Sequence, residues 1–153
     1  MEITYRRVNL DNIEEMQFIA AIDMAIPAKF DPIFQVNEKT ISERLEQLIK
    51  CQPNDFFEVA VNENKKIVGY HFLNQFKGPH GILAASIQTL WVDPEYRRQG
   101  IAKTLKKRGE TWAKENNLDH ISTFVHAKNS SMTALNNELG YELVGYKLKK
   151  SMK

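Results

Sequence analysis

Apolar positions along this chain switch between two spacings, and the switches mark out its elements. Ile3, Tyr5 and Val8 fit a short strand. Behind an Asp11-x-x-Glu14 capping pattern, Ile13, Met16, Ile19 and Ala20 recur at helical spacing. Pro27 and Pro32 interrupt that pattern and predict a loop near 25–36. A second helix follows Asn37, with Ile41, Leu45, Leu48 and Ile49 on one face, and Pro53-Asn54 ends it. Phe57, Val59 and Val61 then alternate as a strand does; Asn62-Glu63-Asn64 turns the chain, and 67–76 returns. A turn at Lys77–Gly81 leads into a long strand over 82–92, bent near Ala84-Ala85. Ile101, Leu105, Trp112 and Ala113 give a third helix its core face. A strand over 121–125, a helix over 131–139 closed by Gly140, and a last strand over 141–148 complete the order βααβββαβαβ, before a basic tail at 149–153. Three hairpin-joined strands followed by two alternating units predict a mixed sheet in an α/β (α+β) domain.

The chemistry concentrates in Leu90-Trp91-Val92-Asp93-Pro94-Glu95-Tyr96-Arg97-Arg98-Gln99-Gly100-Ile101-Ala102. This reads as a buried strand, a turn, and a basic glycine loop opening a helix. A helix start leaves about four backbone N–H groups without partners and carries the positive end of the helix dipole. Gly100 and Ala102 let a ligand approach that backbone, and Arg97, Arg98 and Lys103 add full charge beside it. Such a place suits a phosphate or pyrophosphate.

The phrase resembles the acyl-CoA-binding loop of the GNAT-type N-acetyltransferases, Gln/Arg-x-x-Gly-x-Gly/Ala, here on Arg97, Gly100 and Ala102. A second likeness runs from Asn129 through Leu135 to Gly140 and Tyr141, close to the family's Asn-x-x-Ala-x-x-Leu-Tyr-x-x-x-Gly-Phe, with Met132 in place of its alanine. The resemblance implies a GNAT-like fold over 1–153: a mixed, mostly antiparallel sheet of six to seven strands, flanked by about four helices, with two strands parting where the cofactor enters. It implies acetyl-CoA as donor and a primary amine as acceptor, joined by direct attack in a ternary complex. The backbone of Leu90, Trp91 and Val92 would lie along the pantetheine arm, with an N–H there stabilising the oxyanion. The loop N–H groups of Arg98, Gln99, Gly100, Ile101, Ala102 and Lys103 would hold the pyrophosphate, and Asn129 would contact the cofactor.

Two departures bear on catalysis. Asn136 stands where the family places the tyrosine that protonates the departing thiolate. An amide cannot supply that proton, although it can donate a hydrogen bond to the sulfur or the pantetheine. The strand before the loop, Ser86-Ile87-Gln88-Thr89-Leu90, also lacks the carboxylate base of many relatives. An amine of pKa near 10 must lose a proton before it attacks, which leaves His126 or a water chain as the base, with His71 and His80 nearby in sequence. These gaps keep a second reading open, a non-catalytic acyl-CoA-binding sensor or partner-binding module.

Composition narrows the classes. At 153 residues, 42% apolar and 26% charged, the chain has the make-up of an ordinary globular domain with a real core. It shows no twenty-residue apolar run and no signal-peptide core, so no transmembrane helix and no membrane partner are expected. Cys51 is alone, so no disulfide framework or cysteine metal site is expected, and a cytoplasmic location follows. No metal is implied, because the four histidines and the acids show no ligand spacing. A net charge of +2 does not call for nucleic acid, and the cofactor's phosphates account for the basic stretch from Arg97 to Arg108. A homodimer is compatible with the sequence, which identifies neither the oligomeric state nor the acceptor.

Overall fold

A computed structural model describes residues 2–153. The elements run β1 (Thr4–Arg7), α1 (Ile13–Ala28), α2 (Glu38–Leu48), β2 (Phe56–Val61), β3 (Ile67–Lys77), β4 (Leu83–Val92), α3 (Ile101–Glu115), β5 (Ile121–Ser122) and α4 (Ser130–Glu138). The strands form one five-stranded sheet in chain order. Every pairing is antiparallel except β4 with β5. This is the mixed sheet with four flanking helices that the sequence predicts, and none of the described helices is long and apolar enough to cross a membrane.

Alternation along β2 and β3 gives the sheet two buried faces. Phe57, Val59, Tyr70 and Phe72 meet Met16, Ile19 and Ala20 of α1 and Leu48 of α2. Each large side chain removed from water stabilises the fold by about 1.5–3 kcal/mol. The Tyr70 hydroxyl donates to Asp23 of α1, and the Arg44 guanidinium of α2 binds the same carboxylate at 2.8 Å, so one buried polar knot joins both helices to β3. On the opposite face Ala60, Val68 and Val92 meet Ile101 and Leu105 of α3. Gly109 allows α3 to lie this close, since a Cβ there would meet Leu73 Cδ1 at 2.7 Å.

Local chemistry sets the helix starts. Asn37 and Thr40 form a reciprocal capping box on α2. At α1 the cap is Asn12, which accepts from Glu15 N–H, one residue beyond the expected Asp11–Glu14 pattern. Glu15 is the buried acid of that turn and pairs with Arg6 of β1 at 2.6 Å, which fixes the register. Pro27 lies inside the last turn of α1, so the irregular stretch begins at 29 rather than 25.

The strand count is corrected to five, from six or seven. The strand expected over 121–125 pairs only at Ile121 and Ser122, opposite Ala85 and Ser86. Residues 141–148 join no ladder, and Leu143, Val144, Tyr146 and Leu148 stand in solvent. The physical reason lies in the neighbour: a two-residue β5 offers no edge for another strand to pair with, so an alternating pattern alone does not make one.

Candidate functional site

β4 delivers the chain to a compact turn. Asp93 Oδ1 accepts from Glu95 N–H at 3.0 Å, its carbonyl accepts from Tyr96 N–H at 2.8 Å, and Pro94 starts the short helical turn 94–96. Arg98 (φ 62) and Gly100 (φ 82) are both left-handed, and these two reversals fold the basic loop into the start of α3. No side chain caps that start. Nothing lies within 4 Å of where a Cβ on Gly100 would be, so the space over the first helical turn is open. The result is an exposed concavity of backbone N–H groups at the positive end of a fifteen-residue helix.

Beside it the sheet parts. β4 has partners on its outer edge only from Leu83 to Ser86, so from Ile87 to Val92 that edge is unpaired. The outward carbonyl of Val92 accepts from Arg97 Nε at 3.1 Å. Since outward groups alternate along an antiparallel strand, Leu90 turns its N–H and C=O to the same side. Trp91 points to the other face, against Phe18 and Tyr70.

The expected site residues divide into three groups. Arg98, Gln99 and Gly100 are exposed around the concavity, with Ala102 half-buried, while Ile101 is core and offers only its backbone. Arg97 and Lys103 already have partners, Arg97 at Val92 and Lys103 in an exposed ion pair with Glu138 at 2.6 Å that links α3 to α4. Asn129 caps α4, accepting from Met132 N–H at 3.2 Å. Asn136 is buried, and its Oδ1 has no hydrogen-bond partner.

The histidines separate by environment. His71 lies wholly buried beneath α3, its Nδ1 donating to the Thr89 carbonyl at 3.0 Å. Burial drives its pKa down to about 3, so it stays neutral and is a poor base. His80 is exposed in the β3–β4 turn. His126 stacks on Phe30, with ring centroids 5.0 Å apart, and its Nδ1 accepts from Lys128 N–H at 3.1 Å. A neutral ring accepting there carries its own proton on Nε2. Next to Phe30, Asp31 accepts from Ile33 N–H at 3.0 Å and holds Lys149 at 3.2 Å, and both contacts lower its pKa. A cleft of about 600 Å³ along the other side of α3, lined by Arg7, Asn54, Glu58, Arg108 and Trp112, shares no residue with the loop.

One residue at this site has no counterpart in the sequence reading. Lys106 is 2% exposed, on the α3 face that turns toward α4. In the sequence it merges with Lys107 and Arg108 into what looks like a solvated basic face. Its burial comes from Tyr141, which lies over its ammonium, so spacing along the helix does not separate it from its charged neighbours.

A sequence model of the acetyltransferase (GNAT) family matches residues 22–141. No protein with a curated description matches significantly. Among solved structures, a presumed acetyl transferase of Pyrococcus furiosus superposes with a TM-score of 0.77 at 24% identity, covering 99% of this chain and 100% of that one. An aminoglycoside acetyltransferase from an uncultured soil metagenomic sample, in complex with trehalose, gives 0.73 at 21%, covering 99% and 97%. The aminoglycoside 6'-N-acetyltransferase of Acinetobacter baumannii gives 0.71 at 18%, covering 99% of each chain. At these identities the structural likeness is one of fold.

Proposed function

This chain belongs to the GNAT acetyltransferase family, and from that membership we propose that residues 1–153 form a single cytoplasmic N-acetyltransferase domain using acetyl-CoA and a primary-amine acceptor. The observation that carries this reading is one juxtaposition: the uncapped, open start of α3 at Gly100 adjoins the unpaired edge of β4 from Ile87 to Val92. A diphosphate linked to an extended amide-bearing arm needs these two surfaces side by side. The residues present therefore fit the donor.

When bound, acetyl-CoA supplies a thioester that the acceptor amine attacks directly. The N–H groups from Arg98 to Lys103 would hold the pyrophosphate, with the Arg98 guanidinium as the exposed charge beside them. The outward groups of Leu90 and Val92 would pair with the arm, and an N–H of this edge would face the developing oxyanion. Asn136 would position the thioester, and Asn129 would reach the cofactor while capping α4. His126 is the residue proposed to relieve the amine of its proton. It would act through Nδ1 once the Lys128 contact opens, or through a water.

Calorimetric titration with coenzyme A tests the donor. A panel of amines, aminoglycosides among them, with free thiol followed over time, tests the transfer. Binding together with amine-dependent thiol release is the expected result. Binding without release above hydrolysis across the panel would instead favour the acyl-CoA sensor, a reading that Asn136 and the missing carboxylate on β4 keep in play.

A further inference from the structure

Lys106 is buried where stability does not call for a charge. It is 2% exposed, and among the described residues no carboxylate pairs with it. An unpaired ammonium removed from water carries a penalty of several kcal/mol, which an apolar side chain of the same length would avoid. Its surroundings point to a use. Its Nζ lies 4.4 Å from the centre of the Tyr141 ring. Tyr141 N–H in turn donates to the Asn136 carbonyl at 2.9 Å, which ties the ring to α4. Asn136 is the buried residue of α4, and its Oδ1 has no hydrogen-bond partner. Across from them β3 presents His71, which sits opposite Leu90 on β4, and the outer edge of β4 is unpaired at that level. A buried cation beneath Tyr141 thus neighbours the helix that carries an orphan amide oxygen, on the face of the sheet where His71 and Leu90 pair.

We infer that the Lys106 ammonium is the proton donor to the departing coenzyme A sulfur, the part Asn136 cannot play; the inference rests on the acetyl-CoA-dependent reading above. The balance is simple. As the amine nitrogen forms its bond to the carbonyl carbon, the C–S bond breaks and its electron pair goes to sulfur. One N–H proton of Lys106 passes to that sulfur, leaving a neutral amine on Lys106 and a free thiol, and solvent later reprotonates the lysine. The proton shed by the acceptor nitrogen goes to the base or to water.

The neighbours suit the role. Burial lowers the Lys106 pKa to about 8, with Glu110 on its own helix acting in the opposite sense. That value is close to the ~8.5 of a free thiol, so transfer in either direction is nearly balanced. His71 is neutral and brings no competing charge from β3. Tyr141, raised to about 12 by burial, stays protonated and offers its ring face to the cation. No titratable side chain of β4 faces the lysine, since Ser86 to Val92 contains none.

The test needs no acceptor. Coenzyme A is bound to the protein and its thiol is titrated by the ultraviolet absorbance of the thiolate, in wild type, Lys106→Met and Lys106→Arg. A nearby ammonium lowers a thiol pKa, so the bound thiol is expected about one unit or more below free coenzyme A in wild type. It should return to the free value or above in Lys106→Met, and stay low in Lys106→Arg. A wild-type thiol that titrates like free coenzyme A, or one unmoved by Lys106→Met, overturns the inference while leaving the donor site intact. Failure of wild type to bind coenzyme A overturns the parent reading, and this one with it. Thermal melting of the apo variants checks the fold; if a variant does not fold, a wild-type thiol that titrates like free coenzyme A still overturns the inference.

Discussion

Around residues 97–103 the geometry is set by backbone. Two left-handed residues, a helix start without a cap and a bare strand edge place donors and acceptors in space before any side chain is considered. Around His126 the geometry is set by side chains on irregular chain. His126 stacks on Phe30, Asp31 holds Lys149, and Lys147 covers Phe124 at 5.5 Å. Ile33, Phe34, Val36 and Phe124 are all exposed there. The difference teaches where specificity can live. On the proposed reading, a backbone cradle would recognise a chemical constant, the diphosphate and amide arm shared by every acyl-CoA. A side-chain cluster on loops can vary with the acceptor without disturbing the sheet.

The strongest way to break the backbone end is Gly100→Glu. Residue 100 has φ 82 and open space above it, so a carboxylate would project into the space proposed for the pyrophosphate. Coenzyme A binding should fall by roughly 100-fold or more, since like charges set against each other cost several kcal/mol. The left-handed backbone adds about 1–2 kcal/mol of strain, partly offset by an acid at a helix N-terminus. Calorimetry, with melting of the apo protein as control, reads both. Gly100→Ala carries the strain without the charge and should bind far better than the glutamate variant. A folded Gly100→Glu protein that binds like wild type would mean the cradle is elsewhere.

The two ends also differ in their histidines. His71 is buried neutral beneath α3, with its pKa pushed from 6.5 to about 3. The unfolded chain therefore binds a proton that the folded chain refuses. The stability this group contributes is fully present above pH 6.5 and is lost as the pH falls toward 3, on the order of 5 kcal/mol in all. Melting temperature should decline over that window, and His71→Leu should flatten the decline. A variant with the wild-type slope would place the acid sensitivity on the carboxylates alone.

His126, at the open end, should behave in the opposite way. His126→Ala is expected to lower turnover by about 100-fold, in the range of lost general acid–base catalysis, with coenzyme A affinity unchanged. Its stability cost should be small, because the ring is only half-buried. The measurement is a pH–rate profile against an amine found to be a substrate. A wild-type profile in the variant would remove His126 from the chemistry and leave water as the carrier of the proton.

Legibility in the sequence follows the same divide. The loop from Arg97 to Ala102 was readable because glycine, turn residues and a helix start constrain backbone locally. The α2 cap at Asn37 and the alternation of Phe57, Val59 and Val61 were readable for the same reason. Lys106 was not, because its burial depends on α4 and Tyr141 closing over it, which no local pattern encodes. Nor was the burial of Asn136, or the Lys128 contact that occupies His126 Nδ1. The expected strand at 141–148 failed on a non-local condition as well, the length of β5.

That last segment supplies the mildest and sharpest test of the divide. Leu143, Val144, Tyr146 and Leu148 are 71%, 95%, 83% and 90% exposed, so their removal uncovers little apolar surface. The tail's anchor at Asp31 is an ion pair whose lysine is 77% exposed, so solvent screens it and it holds the tail weakly. Deleting 143–153 keeps Tyr141, and with it the cover over Lys106. The expected result is a melting temperature lowered by no more than a few degrees, with coenzyme A affinity unchanged and any effect confined to the acceptor. A large loss of stability would carry a different message. It would mean that these apolar side chains are covered in solution, by the sheet edge or by a second copy of the chain. Sedimentation of the 153-residue and shortened proteins tells those two apart, since only the second changes mass with the deletion beyond the residues removed.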